Sequence, residues 1–145
     1  MFRYKCKIVK IVDGDTVDVD IDLGFGIWVR NERVRLHGVD TPESRTRDKV
    51  EKQFGLLAKK FVEKVLPIGS TQTLVTEKAG DDAKGKFGRI LGKFEVYDGE
   101  TDSTMFLGDI MIREGHAVPY FGLSKEDIKE AHLANRLKLH ERGVI

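Results

Sequence analysis

The stretch Val17-Asp18-Val19-Asp20-Ile21-Asp22-Leu23 decides the fold class. Apolar and acidic residues alternate strictly, and only a β-strand with one dry face and one wet face has that period. On its far side, Leu23-Gly24-Phe25-Gly26 supplies turn residues. Ile27 to His37 then reads as a second strand, with Val34 and Leu36 opposite Arg33, Arg35 and His37. On its near side, Ile8, Val9, Ile11 and Val12 form an apolar patch behind Lys5, Lys7 and Lys10. The first third is therefore a meander of three strands, hairpin-joined.

Beyond it the period changes. Val50, Phe54, Leu57, Phe61 and Val65 recur at steps of 4, 3, 4 and 4, which predicts an amphipathic helix ending near Pro67 and Gly69. Thr71 to Thr76 is strand-like, Ala79 to Gly88 reads as a polar loop, and Ile90 to Tyr97 is a further strand before Asp98-Gly99. A short helix is predicted from Thr104 to Glu114, with Leu107, Ile110 and Met111 inward and Gly115 as its stop. Ser124-Lys-Glu-Asp127 resembles a capping box and opens a last helix through Glu141, ended by Gly143. Five strands and three helices make an α+β chain. A five-stranded OB-type β-barrel is the natural way to bury strands this short with helices in these places.

Composition narrows the function. The chain has 145 residues, 40% hydrophobic and 34% charged, which suits one globular domain over 1–145. No apolar run is long enough for a membrane helix, and the first residues lack the apolar core of a signal peptide, so a cytoplasmic location is expected unless a leader was removed. Cys6 is the only cysteine, which excludes an internal disulfide and a cysteine-cluster zinc site. The four histidines show no ligand spacing. With 25 basic and 24 acidic residues, net charge is +1, so attraction for phosphate must be local.

Two acidic segments could carry chemistry: Asp13-Gly14-Asp15-Thr16 and Asp40-Thr41-Pro42-Glu43. If the early strands pair, Asp15, Asp40 and Glu43 converge, and a hard divalent ion with oxygen ligands would relieve their repulsion. The structural alternatives are a tight turn for the first segment and a helix N-terminus for the second. Arg35 and Arg89 suit phosphate, since guanidinium binds its oxygens in parallel pairs and keeps its charge. Two segments, Lys78–Lys93 and Glu43–Lys60, each carry a local excess of three positive charges.

Four motifs occur in order: Val12-Asp-Gly-Asp-Thr16, Arg33-Val-Arg-Leu-His-Gly-Val-Asp-Thr-Pro-Glu43, Lys86-Phe-Gly-Arg89 and Arg113-Glu-Gly-His-Ala117. Together they resemble the staphylococcal nuclease family over nearly the whole chain. The resemblance implies a calcium-dependent nuclease that cleaves DNA and RNA and leaves 3′-phosphate ends; single strands are the expected preference, because the site must reach the backbone. It implies Asp15, Asp40 and the Thr41 carbonyl as calcium ligands, Glu43 as general base, and Arg35 and Arg89 on the scissile phosphate. Asp13 lies in the motif but outside the ligand positions, which suggests a role behind the ligands. Lys86, Phe87, Tyr120 and Phe121 are the candidate substrate-binding residues; Phe87 stands where relatives often have Tyr. A monomer with no membrane partner is expected. The rival reading is a non-catalytic OB module that binds single strands or proteins, and the complete set of acids and arginines argues against it.

Overall fold

The computed structural model describes residues 2–76, 89–120 and 124–145. The opening strands are β1 (Phe2–Asp13), β2 (Thr16–Gly24) and β3 (Ile27–Leu36), paired antiparallel in sequence. Val17, Val19 and Ile21 turn inward and are buried, while Asp18, Asp20 and Asp22 face out opposite Lys10, Lys7 and Lys5 of β1. These cross-strand acid–base pairs explain how a nearly neutral chain keeps a charged sheet face without repulsion.

The remaining elements are β4 (Val39–Asp40), α1 (Lys49–Val65), β5 (Thr71–Thr76), β6 (Ile90–Asp98), β7 (Ser103–Phe106), α2 (Leu107–Glu114), β8 (Val118–Pro119) and α3 (Lys125–Glu141). The sheet order is β3-β2-β1-β5-β6-β7, and β3 also pairs in parallel with β6. Register shifts in β1 and β2 supply the curvature that lets β3 reach β6. This α+β, OB-like arrangement buries Phe94, Leu74, Ile8 and Val34 between the sheet and the helices. Each fully buried side chain of this size contributes about 1.5–3 kcal/mol.

Three local expectations change. Residues 104–106 are strand rather than helix: the Asp98–Asp102 turn, with Asp102 at φ 50°, folds β7 back onto β6, and helix begins only at Leu107. Asp40-Thr-Pro-Glu43 does not start a helix. Asp48 caps α1 instead, accepting from the Val50 and Glu51 amides at 3.0 and 3.2 Å, so 41–48 is free to serve as a loop. Val50 is half-exposed rather than inward; the buried stripe of α1 runs through Phe54, Gly55, Ala58 and Val62. The Ser124 capping box and the left-handed Gly115 and Gly143 stand as expected. The loop read over Ala79 to Gly88 lies outside the described residues.

Candidate functional site

Two glycines bring the acidic segments together. A Cβ on Gly14 would lie 2.9 Å from the Ala58 Cβ and 3.0 Å from the Thr41 hydroxyl. A Cβ on Gly55 would lie 2.3 Å from the Glu43 carbonyl oxygen. The β1–β2 turn and the 41–44 backbone therefore both sit directly on α1, an approach only a missing side chain permits. Asp13 ties the segments to each other: its Oδ1 accepts from the Gly14 amide at 3.0 Å and from the Ser44 hydroxyl at 2.7 Å. Asp13 thus holds the loop 41–48 rather than touching Asp15 or Asp40 through any described bond.

Arg35 is the centre of the site. It lies opposite Thr16 in the β2–β3 ladder, beside the turn that carries Asp15. The next amide, Leu36 N–H, donates to the Asp15 carbonyl at 2.8 Å, which locks the turn to β3. Arg35 Nη1 donates to the Leu36 and Val39 carbonyls at 2.7 and 2.9 Å. Its Nη2 faces Asp15 Oδ2 at 3.4 Å and Asp40 Oδ1 at 3.6 Å. The guanidinium is fixed by backbone, while its contacts with the two carboxylates stay long. Asp15 Oδ1 accepts from the Thr16 hydroxyl at 3.0 Å.

Asp40 reaches the site on β4, which pairs with β8 through Asp40 and Val118. Its Oδ2 lies 2.8 Å from His132 Nε2, a residue of α3. His132 is only 11% exposed, and its Nδ1 has no hydrogen-bond partner among the described residues. Donation from Nε2–H to Asp40 is therefore the polar contact that orients this ring. Sequence reasoning assigned His132 nothing: the pair spans 92 positions, and a lone histidine on a helix carries no local signal.

Thr41 is buried, and its hydroxyl has no partner among the described residues. Glu43 is exposed, and its position is set through its own backbone against Gly55. Among the described residues no three Asp, Glu, His or Cys side chains group closely enough to hold a metal, while Asp15 and Asp40 both face the Arg35 guanidinium. Glu43 follows buried Pro42 on a segment pressed against α1. Asp15 and Asp40 with the adjacent Thr41 backbone form an oxygen-only donor set, which fits a hard divalent cation rather than a soft one.

Arg89 precedes β6, whose parallel register sets Ile90 against Val34 and Leu91 against Arg35. It lines a cavity of about 220 Å³ together with Arg35, Leu91 and Tyr120. Tyr120 is half-exposed, anchored by its amide to the Gly38 carbonyl at 2.9 Å, with its ring 5.9 Å from the Arg35 guanidinium. Lys86, Phe87 and Phe121 lie outside the described residues.

The Arg113–Ala117 motif sits apart from these groups. Arg113 grips both oxygens of Asp98 at 2.7 and 2.9 Å, and Thr101 donates to the same carboxylate. These partners hold the Asp98 carboxyl far below the usual range and raise the Arg113 guanidinium further. His116 packs on Phe61 at 4.9 Å between ring centres, and burial lowers its pKa. Asn135 and Lys138 of α3 donate to the Ala117 and Arg113 carbonyls at 3.1 and 3.0 Å. The motif is a structural clasp for the helix that delivers His132.

A family model described as staphylococcal nuclease homologue matches residues 33–140. An uncharacterized protein of Methanocaldococcus jannaschii is 30% identical over 90% of this chain and 65% of its own length. Endonuclease YhcR of Bacillus subtilis is 27% identical over 82% of this chain and 9% of its own length. The thermonuclease of Staphylococcus intermedius is 34% identical over 58% of this chain and 44% of its own length. The chain thus spans less than two thirds of each of these relatives. With a family model covering most of its length, the chain belongs to the staphylococcal nuclease homologue family.

Proposed function

We propose that the chain is a calcium-dependent nuclease that hydrolyses phosphodiester bonds of DNA and RNA. One observation carries the reading: Arg35 is held by two backbone carbonyls so that one nitrogen faces two carboxylates, in a cavity that Arg89 also lines. Acidic oxygens beside two guanidiniums, one of them held by backbone carbonyls, suit a phosphate and a cation together. The names of two relatives, an endonuclease and a thermonuclease, support the same class.

Asp15, Asp40 and the Thr41 carbonyl would hold the calcium ion. When bound, it polarises a phosphoryl oxygen and screens the diester's charge. Arg35 and Arg89 hold the non-bridging oxygens and meet the charge that grows on them as the phosphorus becomes five-coordinate. Glu43 takes a proton from the attacking water as the new P–O bond forms. The bond to the 5′-oxygen breaks, that oxygen takes a proton from solvent water, and the phosphate stays on the 3′ side. His132 holds Asp40 by Nε2–H and leaves Asp40 Oδ1 turned toward the site. Tyr120 offers a ring on which a base or ribose stacks, which favours single strands because a stacked duplex base is not accessible. The protein acts as a monomer in this reading.

The test is digestion of a fluorogenic single-stranded oligonucleotide with calcium and with excess chelator. Cleavage is expected only with calcium. Glu43→Gln is expected to lower turnover by about 10²–10³ with an unchanged circular dichroism spectrum. Undiminished cleavage in chelator rejects the metal role, and near-native turnover in Glu43→Gln rejects the base.

A further inference from the structure

A second cavity, of about 300 Å³, opens on the other side of Arg89 and is walled by Arg33, Arg45, Asp13 and Thr16. We propose that it is a second phosphate subsite, which grips the nucleotide adjoining the scissile one on the side away from Tyr120. The proposal rests on the nuclease reading for the identity of the ligand, a single polynucleotide strand.

Arg33 and Arg35 are two residues apart on β3 and point to the same face. Their Cα atoms are therefore separated by roughly 7 Å, from a rise of about 3.4 Å per residue. Successive phosphates along an extended strand recur at a similar spacing. Arg89 lines both cavities, so they are neighbouring compartments of one groove. A strand with its scissile phosphate on Arg35 and Arg89 delivers its next phosphate to Arg33.

The groups are suited to that ligand. Arg33 uses Nε and Nη2 on Asp18, at 2.8 and 3.1 Å, which orients the guanidinium and leaves Nη1 for another acceptor. Arg45, exposed and two residues after Glu43, makes no hydrogen bond or ion pair among the described residues. Arg33 and Arg45 bring two guanidiniums to the cavity that Arg89 also lines, and Asp13 is the carboxylate among its described lining residues. Asp13 Oδ1 is already engaged by Gly14 and Ser44, which softens its repulsion of an anion. Among the described residues no aromatic side chain lines this cavity, whereas Tyr120 lines the other. Its described side chains are suited to grip backbone phosphate.

The experiment uses Arg33→Gln, Arg45→Gln and the double variant. Binding of fluorescein-labelled dT dinucleotide, with one phosphodiester, and dT octamer is followed by anisotropy without divalent metal. A single-strand contact carries a salt slope of about 0.7, which at roughly 0.1 M salt corresponds to about fivefold in affinity. Each single variant is expected to weaken octamer binding about fivefold and flatten the log–log salt slope by about 0.7. Dinucleotide binding should stay within twofold. In calcium, octamer KM should rise by the same factor while kcat stays within twofold. Equal losses on both lengths, or an octamer affinity unchanged in the double variant, overturn the subsite. Arg45→Gln removes no described contact, so it decides the matter even if the loss of the Asp18 pair unfolds the Arg33 variant. Length-dependent binding loss in a protein that cleaves nothing would support the subsite and reject the nuclease reading.

Discussion

Two arginines of this molecule meet carboxylates in opposite ways. Arg113 is saturated: both Asp98 oxygens lie at 2.7 and 2.9 Å, with Glu100 and Glu114 also at 3.1 Å. Arg35 binds tightly only to backbone carbonyls and faces Asp15 and Asp40 at 3.4 and 3.6 Å. A saturated pair has no valence left for a ligand and serves the fold. A guanidinium fixed by its own backbone, beside carboxylates it does not fully claim, keeps charge of both signs available to a substrate. Motif membership does not separate the two arginines, since both belong to the recognisable motifs; the geometry of their partners does.

Exchanging the same atoms in both places tests that contrast most sharply. Arg35→Lys should lower kcat about 10²–10³-fold with little change in melting temperature, because a point charge cannot reproduce the fork on phosphate. Arg113→Lys should do the reverse, lowering the melting temperature while kcat of the folded protein at low temperature stays near native. A kcat loss in Arg113→Lys as large as that in Arg35→Lys would erase the distinction. Gly55→Ala should come next. Its new Cβ must displace the Glu43 peptide, and a shift of about 1 Å in a catalytic group costs up to roughly 10² in rate. Gly143→Ala, at the chain's end, should leave kcat unchanged and serve as the control.

His132→Ala is expected to weaken calcium affinity about 10–100-fold by calorimetry, with His132→Gln recovering most of the loss because its amide can still donate to Asp40. Equal affinities in all three proteins would show that the histidine only packs. The smallest effect is on acid stability. Asp98 has a depressed folded-state pKa, so its contribution is complete above the unfolded carboxylate range and disappears as pH falls below about 4. His116 also has a lowered folded-state pKa, so the unfolded chain takes up its proton first, and stability declines below about pH 6.5. Denaturant titrations should show two stages. Asp98→Asn should flatten the lower stage and His116→Phe the upper; a wild-type curve level from pH 7 to 5 would contradict the second assignment.

The strands were legible because Val17, Val19 and Ile21 declare their own faces, and α3 because Ser124 and Gly143 mark its ends. The β7 hairpin was not, since Thr104-Met105-Phe106 runs without a break into the apolar residues of α2, and only the edge of β6 separates strand from helix there. The site divides the same way. Asp15, Arg35, Asp40 and Arg89 could be named from their motifs, whereas Ser44, Gly55 and His132 could not. A glycine inside the apolar face of α1 was a signal of close backbone approach that periodicity alone passed over.

By itself the chain's order of residues determined which faces are dry, where helices begin and stop, and which acids and bases are available, because those depend on neighbours within a few positions. Only tertiary structure decided which of two similar arginines is left unsaturated, that the Glu43 backbone is set against Gly55, and that a histidine 92 positions away braces Asp40. Those outcomes depend on curvature, on bare backbone at Gly14 and Gly55, and on the docking of α3. Each is a distance between remote segments, and no local rule of sequence carries it.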